Sequence, residues 1–402
     1  MIRHWAVGLL VTMVGLGLAA RVMGDEGMWL PQELPAWVVD DMHEKGCMLG
    51  PNEIWNAEGT GIANAVVHLG ATGALVSPDG LILTNHHVAF GSVQRISTPE
   101  DNYIERGFLA RTRDDEVPAL GYTAYVIARS EDVTKQILSA TRPGMAPLAR
   151  YKAIDRKVKQ VEKAAEAREK KHGVDVYCEV ASFAGARYVL YTFSKIRDVR
   201  VVYVPSRAIG EYGGEIDNWE WPRHDGDFSF LRAYVAPDGT PAEFSKANVP
   251  YRPRRYIKVA PEGIKDGEFA MIIGFPRTTH RYLTSSALAD YASFEFPQDI
   301  RISKQMVSIL EQASQNDPTA AVRVAGRIKN LNNYIKKNTG VLEGFERYGL
   351  RAREAERESL WAQGPAGQGT QGGSYRSILG GFKSLYQEKS SYAMKDVLLE
   401  RA

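Results

Sequence analysis

The segment Leu83-Thr84-Asn85-His86-His87-Val88 puts two adjacent histidines directly after a short β-rich stretch. Imidazole, with an ordinary pKa of about 6.5, can take up a proton and return it at neutral pH with little tuning. Neighbouring side chains diverge, so one histidine can pack or orient while the other faces a cleft. A purely structural pair is the plainer alternative. A second run, Asp217-Asn218-Trp219-Glu220-Trp221-Pro222-Arg223-His224-Asp225-Gly226-Asp227, ends just before the apolar stretch Phe228 to Val235. A carboxylate at the mouth of a strand, such as Asp227, can accept the Nδ1 proton of a histidine and fix its tautomer. The competing reading is a charged turn, with Asp225-Gly226 as the turn pair and Arg223 neutralising the acids. His86, His87, His224, Asp225 and Asp227 are also metal-ligand types. Metal-dependent hydrolysis is the weaker alternative: neither H-E-x-x-H nor C-x-x-C spacing occurs, and adjacent histidines on an extended strand point to opposite faces. No metal or other cofactor is expected.

These residues need a scaffold of strands. Gly73 to Ser77 and Leu81 to Thr84 flank Pro78-Asp79-Gly80, where proline presets one dihedral and glycine takes the positive one, so a hairpin is expected. Arg187 to Phe193, Val199 to Val204, Phe228 to Val235 and Phe269 to Ile273 are rich in β-branched and aromatic residues and read as further strands. Many short strands favour a barrel or sandwich. Arg150 to Lys171, rich in Ala, Glu and Lys, reads as a solvated helix inserted among them. After about Ala287 the apolar period lengthens to that of helices. Ile302, Met306, Ile309 and Ala313 form one expected stripe, and Val324, Ile328, Leu331 and Ile335 another. Asp317-Pro318 between them caps and restarts a helix. Gly364 to Gly373 reads as a loop, and Ile378 to Arg401 as helix again. The chain stops in mid-helix without a stop signal, which suggests truncation.

The composition bounds the rest. Of 402 residues, 44% are apolar and 24% charged, which fits a globular chain with a packed core. Fifty basic and 48 acidic side chains leave a net charge of +2, too little to attract a polyanion, so nucleic acid is not an expected partner. Met1-Ile2-Arg3-His4, the uncharged run Ala6 to Ala20 and Val22-Met23-Gly24 read as a signal peptide over residues 1–24. The mature chain is then expected in the periplasm or another exported compartment, without stable membrane insertion; an uncleaved anchor is the alternative. Cys47 and Cys178 could pair there or remain buried thiols.

With these segments in view, the chain resembles the bacterial dipeptidyl-peptidase 7 and 11 family, family 46 of the serine peptidases in the chymotrypsin clan. The resemblance rests on Gly27-Met28-Trp29-Leu30-Pro31, Thr84 to His87, Asp101-Asn102-Tyr103-Ile104, Gly213 to Trp219, Trp221-Pro222-Arg223-His224, Gly226-Asp227-Phe228, Gly274-Phe275-Pro276 and Arg281-Tyr282-Leu283-Thr284. It implies a β-rich, chymotrypsin-like double β-barrel peptidase domain, incomplete, over residues 25–285. An inserted α-helical cap domain, also incomplete, would begin at residues 286–402. It further implies release of dipeptides from oligopeptides with a free amino terminus, and a homodimer. His87 matches the family's general base and Asp227 its triad aspartate. Asn218, Trp219 and Asn333 match the residues that meet the substrate amine, with Asn332 a neighbouring candidate. Amide oxygens suit an ammonium group, which has donors only.

Two departures stand out. Val88 occupies a place where family members commonly have cysteine. No Gly-x-Ser-Gly occurs anywhere in the chain, whereas the family's nucleophile and oxyanion donors lie in a Gly-Asn-Ser-Gly type segment far beyond residue 402. The expectation is therefore a serine-type dipeptidyl peptidase whose serine is missing from this chain, which would be silent by itself. A truncated, non-catalytic protein that binds peptide termini is the alternative.

Overall fold

The computed structural model describes residues 27–401 except 99, 172–174, 184, 277–279, 281–282 and 364–374. The expected signal peptide, the expected loop from Gly364 to Gly373 and the Arg281-Tyr282 pair lie outside the described residues. The chain divides into two compact units. One comprises the residues up to Arg95 with Leu109–Tyr203 and Ser229–Phe275; the other comprises Ile96–Phe108, Val204–Phe228 and the residues from Pro276 onward.

The first unit is built on one antiparallel sheet. Its main strands are β1 (Val66–His68), β2 (Thr72–Leu75), β3 (Leu81–Thr84), β4 (Ala124–Asp132), β5 (Val176–Phe183), β6 (Arg187–Ile196), β7 (Asp198–Val204) and β8 (Ser229–Val235). They pair in the order β7-β8-β3-β2-β1-β4-β6-β5. The hairpin forms as expected: Ala74 opposes Leu83, Leu75 opposes Ile82, and Gly80 takes φ 67°. Alternation sends Leu75, Ile82 and Leu231 to the interior, each with no exposed surface. The expected β-rich architecture is present as far as the described pairings go. They form a single sheet, and none of them joins β7 to β5.

Two expectations for this unit need correction. Phe269 to Ile273 is not a strand, and Ile272 is fully exposed. An apolar run becomes a strand only where a neighbour takes up its backbone groups, and none of the described pairings supplies one. The histidine pair opens helix α1 (His86–Ile96), and the inserted helix is α2 (Pro147–Lys171). α2 is not merely solvated. Val161 and Ala165 pack with Val133, Ile137, Cys178, Tyr188 and Leu190 in a buried cluster. Its Glu162 and Glu166 accept the backbone N–H groups of Val180 and Cys178, at 2.9 and 3.3 Å. A helix with four-residue spacing of carboxylates thus covers donors of β5, the last strand in the sheet order, which would otherwise be open to another chain. Cys47 and Cys178 are both buried and free, and burial pushes the Cys178 thiol up.

The second unit is mostly helical. α3 (Gly214–Asp217) is a single turn; α4 (Ser285–Asp290), α5 (Phe296–Ser314), α6 (Pro318–Arg347), α7 (Leu350–Gln363), α8 (Tyr375–Ser390) and α9 (Ala393–Arg401) follow. The Asp317 carboxylate accepts the Ala320 N–H at 3.0 Å, and Pro318 is the first residue of α6, as the cap signal requires. Leu331 of the second expected stripe is 1% exposed. The first stripe is only partly right: Ile302 is buried, but Ile309 is 64% exposed and Ala313 is exposed. Ser303 and Ser314 are buried in α5 instead, because small side chains let helices approach closely. No helix among the described residues is long and apolar enough to cross a membrane.

Candidate active site

One residue, Asn85, separates β3 from α1, so the histidine pair forms the first turn of a helix and not an extended segment. The strand that delivers it is pinned: the Thr84 hydroxyl donates to the Thr72 carbonyl at 2.9 Å, and the Thr72 hydroxyl accepts the Phe275 N–H at 2.9 Å. Helical neighbours differ in direction by about 100°, which follows from 3.6 residues per turn, so the two rings still part company. His86 is 1% exposed, with its ring edge-on to Phe90 at 6.0 Å. His87 is exposed. A strap holds the helix that carries it: the Tyr122 hydroxyl donates to the Val88 carbonyl, and Arg95 donates to the Leu120 carbonyl. Nothing in the sequence pattern singled out Tyr122.

Thr84, the last residue of β3, stands opposite Ser229, the first of β8. His87 follows the one by three residues and Asp227 precedes the other by two. Asp227 is half-buried. Arg223, invoked above as a general neutraliser of the acidic run, has specific partners: its guanidinium lies 3.1 Å from the Asp225 carboxylate and donates to Asn218 Oδ1 at 3.4 Å.

Asn218, Trp219 and Asn333 are brought together. Asn218 Nδ2 and Trp219 Nε1 both donate to Asn333 Oδ1, each at 2.9 Å. Asn218 Nδ2 also reaches Glu215 Oε2 at 3.3 Å. Asn333, and not Asn332, accepts both bonds. The turn that presents Asn218 and Trp219 demands unusual backbone. Gly213 has φ 78°, and a Cβ there would collide with the Asp217 carboxylate. Trp219 itself has φ 60°, a left-handed conformation that costs a residue with a side chain roughly 1–2 kcal/mol. Its bond to Asn333 helps to offset that cost, and its ring stays 58% exposed.

Charged groups of α6 buttress the same segment. Lys329 Nζ donates to Glu211 Oε1 at 3.0 Å, and Arg207 Nε donates to Glu211 Oε2 at 3.1 Å. Burial alone would raise the Glu211 carboxyl, but Lys329 and Arg207 outweigh it and hold it below its ordinary value of 4.5. A depressed folded pKa stabilises the folded form at pH values above the ordinary one. That contribution fades as pH falls through the lowered value. Acid titration should therefore loosen this segment below pH 4.5, seen as a change in tryptophan emission. Glu211→Gln should remove that acid step; its persistence at full size would show that another group is responsible.

Among the described residues no group of three or more His, Cys, Asp and Glu side chains is arranged to hold a metal ion.

Residues 24–402 match the family Peptidase S46. The chain is 31% identical over 389 residues to dipeptidyl-peptidase 7 of Capnocytophaga gingivalis, covering 95% of this chain and 54% of that protein. It is 37% identical over 326 residues to an Asp/Glu-specific dipeptidyl-peptidase of Shewanella putrefaciens, covering 80% and 43%. Porphyromonas endodontalis DPP11 in complex with the dipeptide Arg-Asp has a similar structure, with a TM-score of 0.80 at 28% identity, covering 92% of this chain and 54% of that one. The chain spans about half the length of the curated relatives it matches.

Proposed function

Because the chain belongs to the Peptidase S46 family, we propose that it carries the general base, its orienting acid and the seat for the substrate amine of a serine-type dipeptidyl peptidase. In this reading His87 takes the proton of a serine hydroxyl supplied from outside residues 1–402 as that oxygen attacks the scissile carbonyl. Asp227 accepts a hydrogen bond from His87 Nδ1–H and stabilises the imidazolium, which then protonates the leaving amine through Nε2. The pairing of Thr84 with Ser229 supports this assignment, since the two segments leave the same end of one strand pair. The sheet is then part of a chymotrypsin-like double barrel, and the helices after residue 285 begin a cap. The mature chain works in an exported compartment.

The observation that carries the proposal is the convergence of Asn218 and Trp219 on Asn333. An enzyme that removes two residues must measure from a terminus, and a fixed seat for the terminal ammonium does the measuring. The geometry refines the roles. An amide oxygen has two lone pairs, and those of Asn333 Oδ1 are occupied by Asn218 and Trp219. Asn333 therefore sets the other two in place. Asn218 Oδ1, which among the described residues meets the long 3.4 Å contact from Arg223, is the acceptor we assign to the ammonium. Arg223 can yield it, because Asp225 remains as its partner.

A polypeptide of the relatives' full length should release dipeptides from an unblocked oligopeptide, stop on treatment with a fluorophosphonate and keep its rate in the presence of chelators. Loss of activity to chelation, with the fluorophosphonate inert, would replace the serine mechanism with a metal-dependent one.

A further inference from the structure

Residues 329, 333 and 336 of α6 are spaced four and three apart and so share one helix face. All three reach the segment 211–220: Lys329 at Glu211, Asn333 at Asn218 and Trp219, and Lys336 at Glu215, Ile216 and Glu220. The geometry points to Lys336 as a positioning residue of the amine seat, an inference that rests on the reading of that seat given above.

The reason lies in what Lys336 touches. Its ammonium donates to the carbonyls of Glu215, at 3.1 Å, and Ile216, and lies 3.2 Å from the Glu220 carboxylate. Glu215 and Ile216 belong to α3, whose four residues are too few for these carbonyls to find partners within the helix. A lysine side chain is a suitable donor to the last carbonyls of a helix. The residues that follow immediately are Asn218 and Trp219, and Trp219 is the one described non-glycine residue with positive φ. If α3 unwinds, Trp219 relaxes to ordinary backbone and its indole leaves Asn333. A lysine so near a seat for a cation would by itself repel the ligand. Here its charge is met by Glu220 and its protons by two carbonyls, so it organises the seat from behind without competing for it.

The test uses the whole chain, labelled with nitrogen-15, and follows the indole N–H resonance of Trp219, assigned by its disappearance in Trp219→Phe. In the ligand-free protein Lys336→Met should move this resonance to the position of a free, exposed indole. Lys336→Arg, which keeps several donors, should leave it at the wild-type position. Lys336→Gln, whose amide is too short to reach both carbonyls, serves if the methionine variant does not fold, and should behave like it. Calorimetric titration with trialanine should show binding about tenfold weaker in Lys336→Met, with Lys336→Arg within about threefold of wild type. An indole resonance unmoved in folded Lys336→Met or Lys336→Gln overturns the inference. If wild type binds trialanine and acetyl-trialanine equally, the amine reading fails, while the ligand-free resonance still decides the role of Lys336.

Discussion

Replacing His87 with alanine in a polypeptide of the relatives' full length should lower kcat by about four orders of magnitude or more, the loss expected when the base of a triad is removed. The adjacent His86→Ala should behave differently. His86 is 1% exposed and packs on Phe90, so its loss leaves a hole in the first turn of α1. That lowers stability more than it lowers kcat. Parallel kinetics and denaturant unfolding separate the two effects. If His86→Ala abolishes turnover and His87→Ala does not, the choice within the pair is wrong. Asp227→Asn is the complementary case: geometry is retained, the wrong tautomer of His87 is favoured, and kcat falls by about 10⁴ on the same reasoning.

Acetylating the substrate's terminal amine should lower kcat/KM by about two orders of magnitude or more. A hydrogen bond to a charged group contributes roughly 1.5–3 kcal/mol, and each 1.4 kcal/mol is a factor of ten. Asn218→Ala should erase most of the preference for the free amine by removing the proposed acceptor. Asn333→Ala should do so indirectly, because it releases Asn218 Nδ2 and the Trp219 indole together. The double variant should then cost little more than either single one, since the three side chains form one network. Equal cleavage of free and acetylated substrates would remove the proposed roles of all three.

Much of the scaffold was legible from residues a few positions apart. Proline and glycine in Pro78-Asp79-Gly80 fix a turn through their own dihedral preferences, and Asp317-Pro318 restarts a helix through a side chain that reaches only three residues ahead. Such signals are local, so they survive any tertiary context that tolerates them. Burial was less legible. The α2 residues Val161 and Ala165 read as part of a solvated helix, yet they lie in a buried cluster, while Ile309, read as part of a packed stripe, and Ile272, read as part of a strand, stand exposed. Apolar character says that a side chain gains from a partner, not that one is within reach.

The same division governs the candidate site. His87 and Asp227 could be proposed from residue type and motif together with the family resemblance, and Asn218, Trp219 and Asn333 from that resemblance, because the proposed chemistry demands an imidazole, a carboxylate and amide oxygens. That Asn218 and Trp219 share one oxygen of Asn333 could not be read from a chain in which 115 and 114 residues separate them. Nor could the hold of Lys336 on the carbonyls of α3. Backbone carbonyls carry no sequence signature, and a lysine spaced at i+3 on a helix is the usual mark of a solvated face. The linear order of residues determined which groups were available and how each short segment turns; only the packing of distant segments decided which of those groups meet, because a hydrogen bond needs its donor and acceptor within reach and not merely present in the chain.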